Sequence, residues 1–212
     1  MVGGDRNDTS RRNWWMAGTS RIEAFSDGVY AIAITLLVLN LGIPDGLSDG
    51  QVWEAIAAEG PKFLAAAISF AVIGLFWRTH HQVFRHLDRT TTGLVWLNLG
   101  HLATIVFLPF PTEVFAEYSD TFAGVALYAL TVAAASFTTA ALAWLAWRAD
   151  LTTPGVNRES LRGAFTGLLT TGIVFVASVG VAAVNANVAP YLWPLAALAD
   201  RPVTWVINRR SG

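Results

Sequence analysis

The chain has 212 residues, of which 54 % are hydrophobic and 14 % charged, with a mean hydropathy of +0.47. Soluble domains carry about a quarter charged residues, so the composition argues for a membrane protein. A net charge of −1 argues against nucleic acid as a partner, and the absence of cysteine removes disulfides, thiolate metal sites and cysteine nucleophiles.

Residues 1–20, MVGGDRNDTSRRNWWMAGTS, are polar and lack the apolar run of a signal peptide. They are predicted as a cytoplasmic N-terminal segment ahead of a six-helix transmembrane domain over 21–210. Trp14 and Trp15 beside Arg11 and Arg12 suit a short interfacial segment, with a disordered tail as the alternative. A spanning helix needs about 20 mainly apolar residues. Six segments qualify, near 22–43, 52–77, 93–112, 121–147, 163–186 and 190–207.

The first span opens RIEAFSDGVYAIAITLLVLNL, Arg21 to Leu41. At the helical period, Phe25, Ile32, Leu36, Leu39 and Ile43 fall within about 60° of one another, with Thr35 at the edge of the stripe. Ser26 and Asp27 point elsewhere, and polar groups at that depth need partners. The second span carries Glu54, Glu59, Pro61 and Lys62 in its first half, which predicts a bend near Pro61 and a snorkelling Lys62. It ends in FWRTHHQVFRHLDR, and the third opens LVWLNLGHL. A polar cluster of Arg21, Ser26, Asp27, His81, Asn98 and His101 is therefore expected to pin the first three helices together. Two other readings stay open. His80, His81 and His86 could hold a metal, although no carboxylate or cysteine set completes a site. Asp27 with a buried histidine could instead serve a proton-coupled secondary transporter or a proton-conducting channel. In the fourth and fifth spans, alanines such as Ala126, Ala129 and Ala133 and glycines such as Gly163, Gly167, Gly172 and Gly180 suit close helix packing. The sixth is interrupted by Pro190, Pro194 and Pro202.

Loop charges set the orientation. Arg6, Arg11, Arg12 and Arg21 precede the first span; Arg78, Arg85 and Arg89, then Arg148, Arg158 and Arg162, then Arg209 and Arg210 occupy alternate loops and the end. The opposite loops hold Asp45, Asp49, Glu113, Glu117 and Asp120. The positive-inside rule then places both termini in the cytoplasm. Tryptophans 53, 77, 96, 144, 147, 193 and 205 fall near predicted helix ends, as an interfacial belt requires. HExxH, GxSxG and phosphate-loop motifs are absent, so the sequence is not read as an enzyme.

The arginine followed by three residues and FSD, here Arg21 with Phe25, Ser26 and Asp27, resembles the signature first helix of the bacterial relatives of transmembrane protein 175, the lysosomal potassium channel of animals. FWRTHHQVFRHLDR and LNLGHLATIVFLPFPTEV are similar to that family's second and third helices, so the resemblance covers roughly 21–116. It implies an all-α membrane fold of six helices per chain and a homotetramer whose first helices line a central, potassium-selective pore. It implies constriction rings of Ile32, Leu36 and Leu39 in place of a TVGYG filter. It further implies a hydrogen-bonded network of the FSD serine and aspartate with the nearby arginine. Thr35 and Asn40 are possible pore-lining polar groups. The partners implied are further copies of the chain, membrane lipid and monovalent cations, with permeant K+ and no cofactor. The compartment implied is a bacterial inner membrane.

Overall fold

The computed structural model describes residues 6–39, 41–149, 151–152 and 158–196, with side chains described from residue 18 onward, except at 158–160. Its helices are α1 (Arg6–Leu36), α2 (Asp49–Ala58), α3 (Gly60–Arg85), α4 (Thr92–Phe107), α5 (Pro109–Glu117), α6 (Phe122–Arg148) and α7 (Arg158–Ala182), followed by a 3-10 turn at Ala189–Leu192. Among the described residues there is no strand; a single antiparallel bridge joins Leu87 to Thr152.

The predicted boundaries need correction in several places. The helix of the first span starts at Arg6, so residues 6–20 continue it rather than forming a separate tail. It ends at Leu36, where Leu37, Val38 and Leu39 bond three residues back to Ile34, Thr35 and Leu36 and tighten the chain. Gly42 and Pro44 follow, and the residue before a proline is pushed out of the helical region. Leu39 thus lies on a turn and Ile43 beyond it, and the helical wheel does not reach either.

The second span is two helices, because Pro61 in the first turn starts α3 instead of bending a longer helix. Lys62 does not snorkel alone: its Nζ lies 3.4 Å from Glu59 and 3.5 Å from Glu117. α3 also runs on to Arg85, making WRTHHQVFR helical. The third span breaks at Leu108, before Pro109, and resumes as α5. Caps fit the sequence: Thr91 accepts from the Leu94 N–H and Thr121 from the Gly124 N–H. Of the sixth span only residues 190–196 are described, the 3-10 turn and a helical stretch over 193–196; Arg201, Trp205, Arg209 and Arg210 lie outside the described residues.

Four stretches among the described residues are long and apolar enough to cross a membrane: Gly60–Arg85, Thr92–Glu117, Phe122–Arg148 and Leu161–Ala182. α6 is the most enclosed of these and packs chiefly on α7, with Ala129, Ala135, Ala143 and Ala146 fully buried. A Cβ on Gly172 would lie 2.4 Å from the Phe137 ring, so any larger residue there would force that ring to shift. α1 lies on α3 and α4.

Candidate functional site

α1 has two unlike faces from Ser26 upward. Ser26, Tyr30, Ala33 and Leu37, spaced four, three and four apart, are all buried against the chain's own helices. On the opposite side Phe25 and Ile32 are 56 % and 59 % exposed, Thr35 is exposed and Leu36 half-buried, while Leu39 beyond the helix is 75 % exposed. The Thr35 hydroxyl donates to the Ile32 carbonyl at 2.8 Å, so its oxygen remains free to accept. Asn40 lies outside the described residues.

The buried face is fastened by two hydrogen-bonded groups. In the lower one, Ser26 donates to the Ile22 carbonyl at 2.8 Å and accepts from Asn98 Nδ2 at 3.1 Å. The Asn98 carbonyl oxygen is then left for His80 Nε2 at 2.7 Å, so Nε2 carries the proton and buried His80 Nδ1 has no partner. In the upper one, Tyr30 OH lies 2.6 Å from His101 Nε2, and His101 Nδ1 lies 3.0 and 3.2 Å from the Thr138 and Thr139 hydroxyl oxygens. Both threonines already donate to the backbone carbonyls of Ala134 and Ala135. His101 therefore donates from Nδ1 and accepts the Tyr30 proton at Nε2, leaving a neutral ring with both nitrogens satisfied.

Asp27 and His81 stand apart from this buried pair of groups. Asp27 is half-buried and accepts from Trp77 Nε1 at 2.8 Å. His81 Nδ1 lies 2.9 Å from Glu23, one helical turn away on both helices, and its ring stacks on Trp77 at 5.6 Å. Arg21 is exposed and, with Gly18, Ile22, Phe25, Val95, Asn98 and Leu99, lines an open groove of about 400 Å³ between α1 and α4.

The six expected cluster members are thus divided. Ser26 and Asn98 bond directly and His101 joins the neighbouring group, while Arg21, Asp27 and His81 lie outside. Adjacent residues on a helix point about 100° apart, so only one of two neighbouring histidines can face the core. The buried register of α3 (Ser69, Ile73, Phe76, His80, Val83, Phe84) selects His80. That register was available in the sequence, as was the Ser26–Tyr30–Ala33–Leu37 spacing that exposes the role of Tyr30. Among the described residues no three histidine, aspartate or glutamate side chains converge as metal ligands.

The family described as endosomal/lysosomal potassium channel TMEM175 matches residues 21–109. A Streptomyces collinus protein named a potassium channel is 36 % identical over 176 residues, 77 % of this chain and 85 % of that one. The human protein named endosomal/lysosomal proton channel TMEM175 is 43 % identical over 97 residues, which span 42 % of this chain and 19 % of the human one. Among solved structures, the crystal structure of a lysosomal potassium-selective channel TMEM175 homolog from Chamaesiphon minutus superposes with a TM-score of 0.73 at 27 % identity. That match covers 88 % of this chain and 98 % of the other.

Proposed function

The chain belongs to the TMEM175 family, and from that premise we propose that it is a potassium-selective channel conducting K+ passively through a pore lined by α1 at the axis of a homotetramer. Each subunit crosses the bacterial inner membrane six times, and both termini are cytoplasmic. Membrane lipid and other copies of the chain are its partners, with no cofactor and no catalytic chemistry. Arginines in the alternate loops support the orientation.

One observation carries the pore reading. Among the described residues Ile32 is left exposed by its own chain with Leu36 half-buried beside it, while the reverse face of the same helix is buried and hydrogen-bonded. Identical copies meeting along that edge would form apolar rings at Ile32 and Leu36, with Leu39 on the turn above them. A narrow apolar ring excludes ions by dewetting unless they shed water cheaply. Potassium holds its hydration shell less tightly than sodium, so partial dehydration favours it. Thr35, its lone pairs directed outward from the carbonyl it bonds, offers an oxygen beside the rings. Acidic residues of the outer loops, Asp45 and Asp49 among them, concentrate cations within the screening distance of about 8 Å at physiological salt.

Flux through liposomes holding purified Ile32→Asn tests this. Increased conductance with reduced preference for K+ over Na+ is expected; unchanged conductance and selectivity would place the constriction elsewhere.

A proton relay through the subunit finds no support in the packing. The His80–His101 layer and a second buried layer, where Ser69 meets Thr112 at 2.7 Å and Tyr128 at 3.1 Å, are separated on α3 by Ile73 and Phe76. On α4 and at the break that follows it they are separated by Ile105 and Leu108. About 16 Å of helix lies between Ser69 and His80, too far for hydrogen-bonded transfer through an apolar layer.

A further inference from the structure

We propose that Tyr30, His101 and Thr139 form a strut that fixes the position of α1 at the level of Ile32, making Tyr30 and His101 positioning residues that set the ion preference of the pore. The inference rests on the pore-lining reading of α1. It concerns residues outside the FSD motif.

Ser26 lies six residues before Ile32, about 9 Å along the axis, whereas Tyr30 lies two residues away, about 3 Å. The lower fastening therefore holds the foot of the helix, and a helix held only there can pivot about it. Tyr30 leaves the reverse face of α1 at the height of the proposed constriction. Its hydroxyl meets His101 of α4 at 2.6 Å, and His101 meets Thr139 of α6 at 3.2 Å with Thr138 alongside at 3.0 Å. Three helices are thereby tied at one level, and α6 is the most enclosed span. Every member is rigidly seated: Tyr30 is 1 % exposed, and His101 and Thr139 are fully buried. The phenol packs against the His80 and His101 rings, at 5.5 and 6.0 Å between centroids. The bond directions are settled from the far end, because the Thr138 and Thr139 protons go to backbone carbonyls. In that arrangement the Tyr30 hydroxyl donates to His101 Nε2, and the His101 Nδ1–H lies within reach of both threonine oxygens. An aperture formed by apolar side chains has no carbonyl cage to hold its width. Its width follows the placement of the helices behind it, and a shift of a few tenths of an ångström alters how much water an ion must lose.

Tyr30→Phe keeps the ring and removes only the hydroxyl, leaving His101 Nε2 a buried acceptor without a partner. His101→Leu leaves the Tyr30 proton unpaired, and the double variant leaves neither. Each is reconstituted in planar bilayers under opposed K+ and Na+ solutions beside Ile32→Asn, with size-exclusion elution reporting assembly. The expected result is a fall in the K+/Na+ permeability ratio of about fivefold in each single variant, the scale of one lost neutral hydrogen bond. The double variant is expected to be no worse than either single, because the residues act as a unit, with elution unchanged throughout. An unchanged ratio in Tyr30→Phe while Ile32→Asn alters permeation would overturn the strut and leave the pore reading standing. So would additive losses in the double variant. If Ile32→Asn also changes nothing, the pore reading fails and the strut with it.

Discussion

Asn98 shows how one side chain can join three helices. Its amide donates to Ser26 of α1 and its carbonyl accepts from His80 of α3, both from a 1 % exposed position on α4. Replacing it by leucine strands a buried imidazole N–H and leaves the Ser26 oxygen with no donor, although its hydroxyl still bonds the Ile22 carbonyl. Asn98→Leu is expected to cost about 2–4 kcal/mol, the desolvation penalty of two buried groups, read as a lower unfolding temperature in detergent. His81→Ala is the contrasting case. Its contact with Glu23 is about a third exposed on the histidine side, and even fully charged exposed pairs contribute about 0–1 kcal/mol, so the same measurement is expected to move little. The sequence alone marked Ser26, Asn98 and the Ile32 stripe because each is a polar or apolar exception to its surroundings. It ranked His81 above His80 because residue type carries no direction; only the register of the neighbouring apolar residues distinguishes the two. Tyr30 escaped notice since a tyrosine on an apolar helix reads equally well as packing.

At the scale of elements, helix existence was legible and helix ends were not. Long apolar runs made α6 readable almost to the residue, and Thr121 capping Gly124 explains its sharp start. Thr121→Val removes that acceptor and is expected to cost about 1 kcal/mol of stability. Prolines misled, because Pro61 opens a new helix where a bend was expected and Pro109 opens one inside a span read as continuous. A proline at a first turn loses no hydrogen bond. The α6–α7 seam depends on Gly172. The β-branched side chain of Gly172→Val would collide with Phe137, and its destabilisation is expected to exceed that of Gly180→Val, where a Cβ meets open space. Thermal unfolding of the two variants side by side checks the ordering.

For the whole molecule, orientation and assembly are the properties to measure. The sequence has no cysteine, so single introduced thiols report sidedness without background. With Asp45→Cys and Asp88→Cys, both at exposed positions, a membrane-impermeant maleimide added to intact cells is expected to label the first and spare the second. The reverse pattern would invert the topology. Mass measurement of the intact complex in detergent is expected to give four chains. Alternation of loop charge is what the expected topology rests on, because it is a property of composition between helices. Assembly was legible only through resemblance, since an uncovered apolar edge looks the same toward lipid as toward a sister subunit. The riveting of α1 to its own α4, and through His101 to α6, has a consequence for how the proposed aperture widens. With its outer edge largely exposed among the described residues and its inner side clamped, α1 at the proposed pore is expected to move with its whole subunit, like a blade of a camera iris. Mixed complexes carrying zero to four Tyr30→Phe blades are accordingly expected to give a ladder of intermediate single-channel amplitudes, rather than two classes.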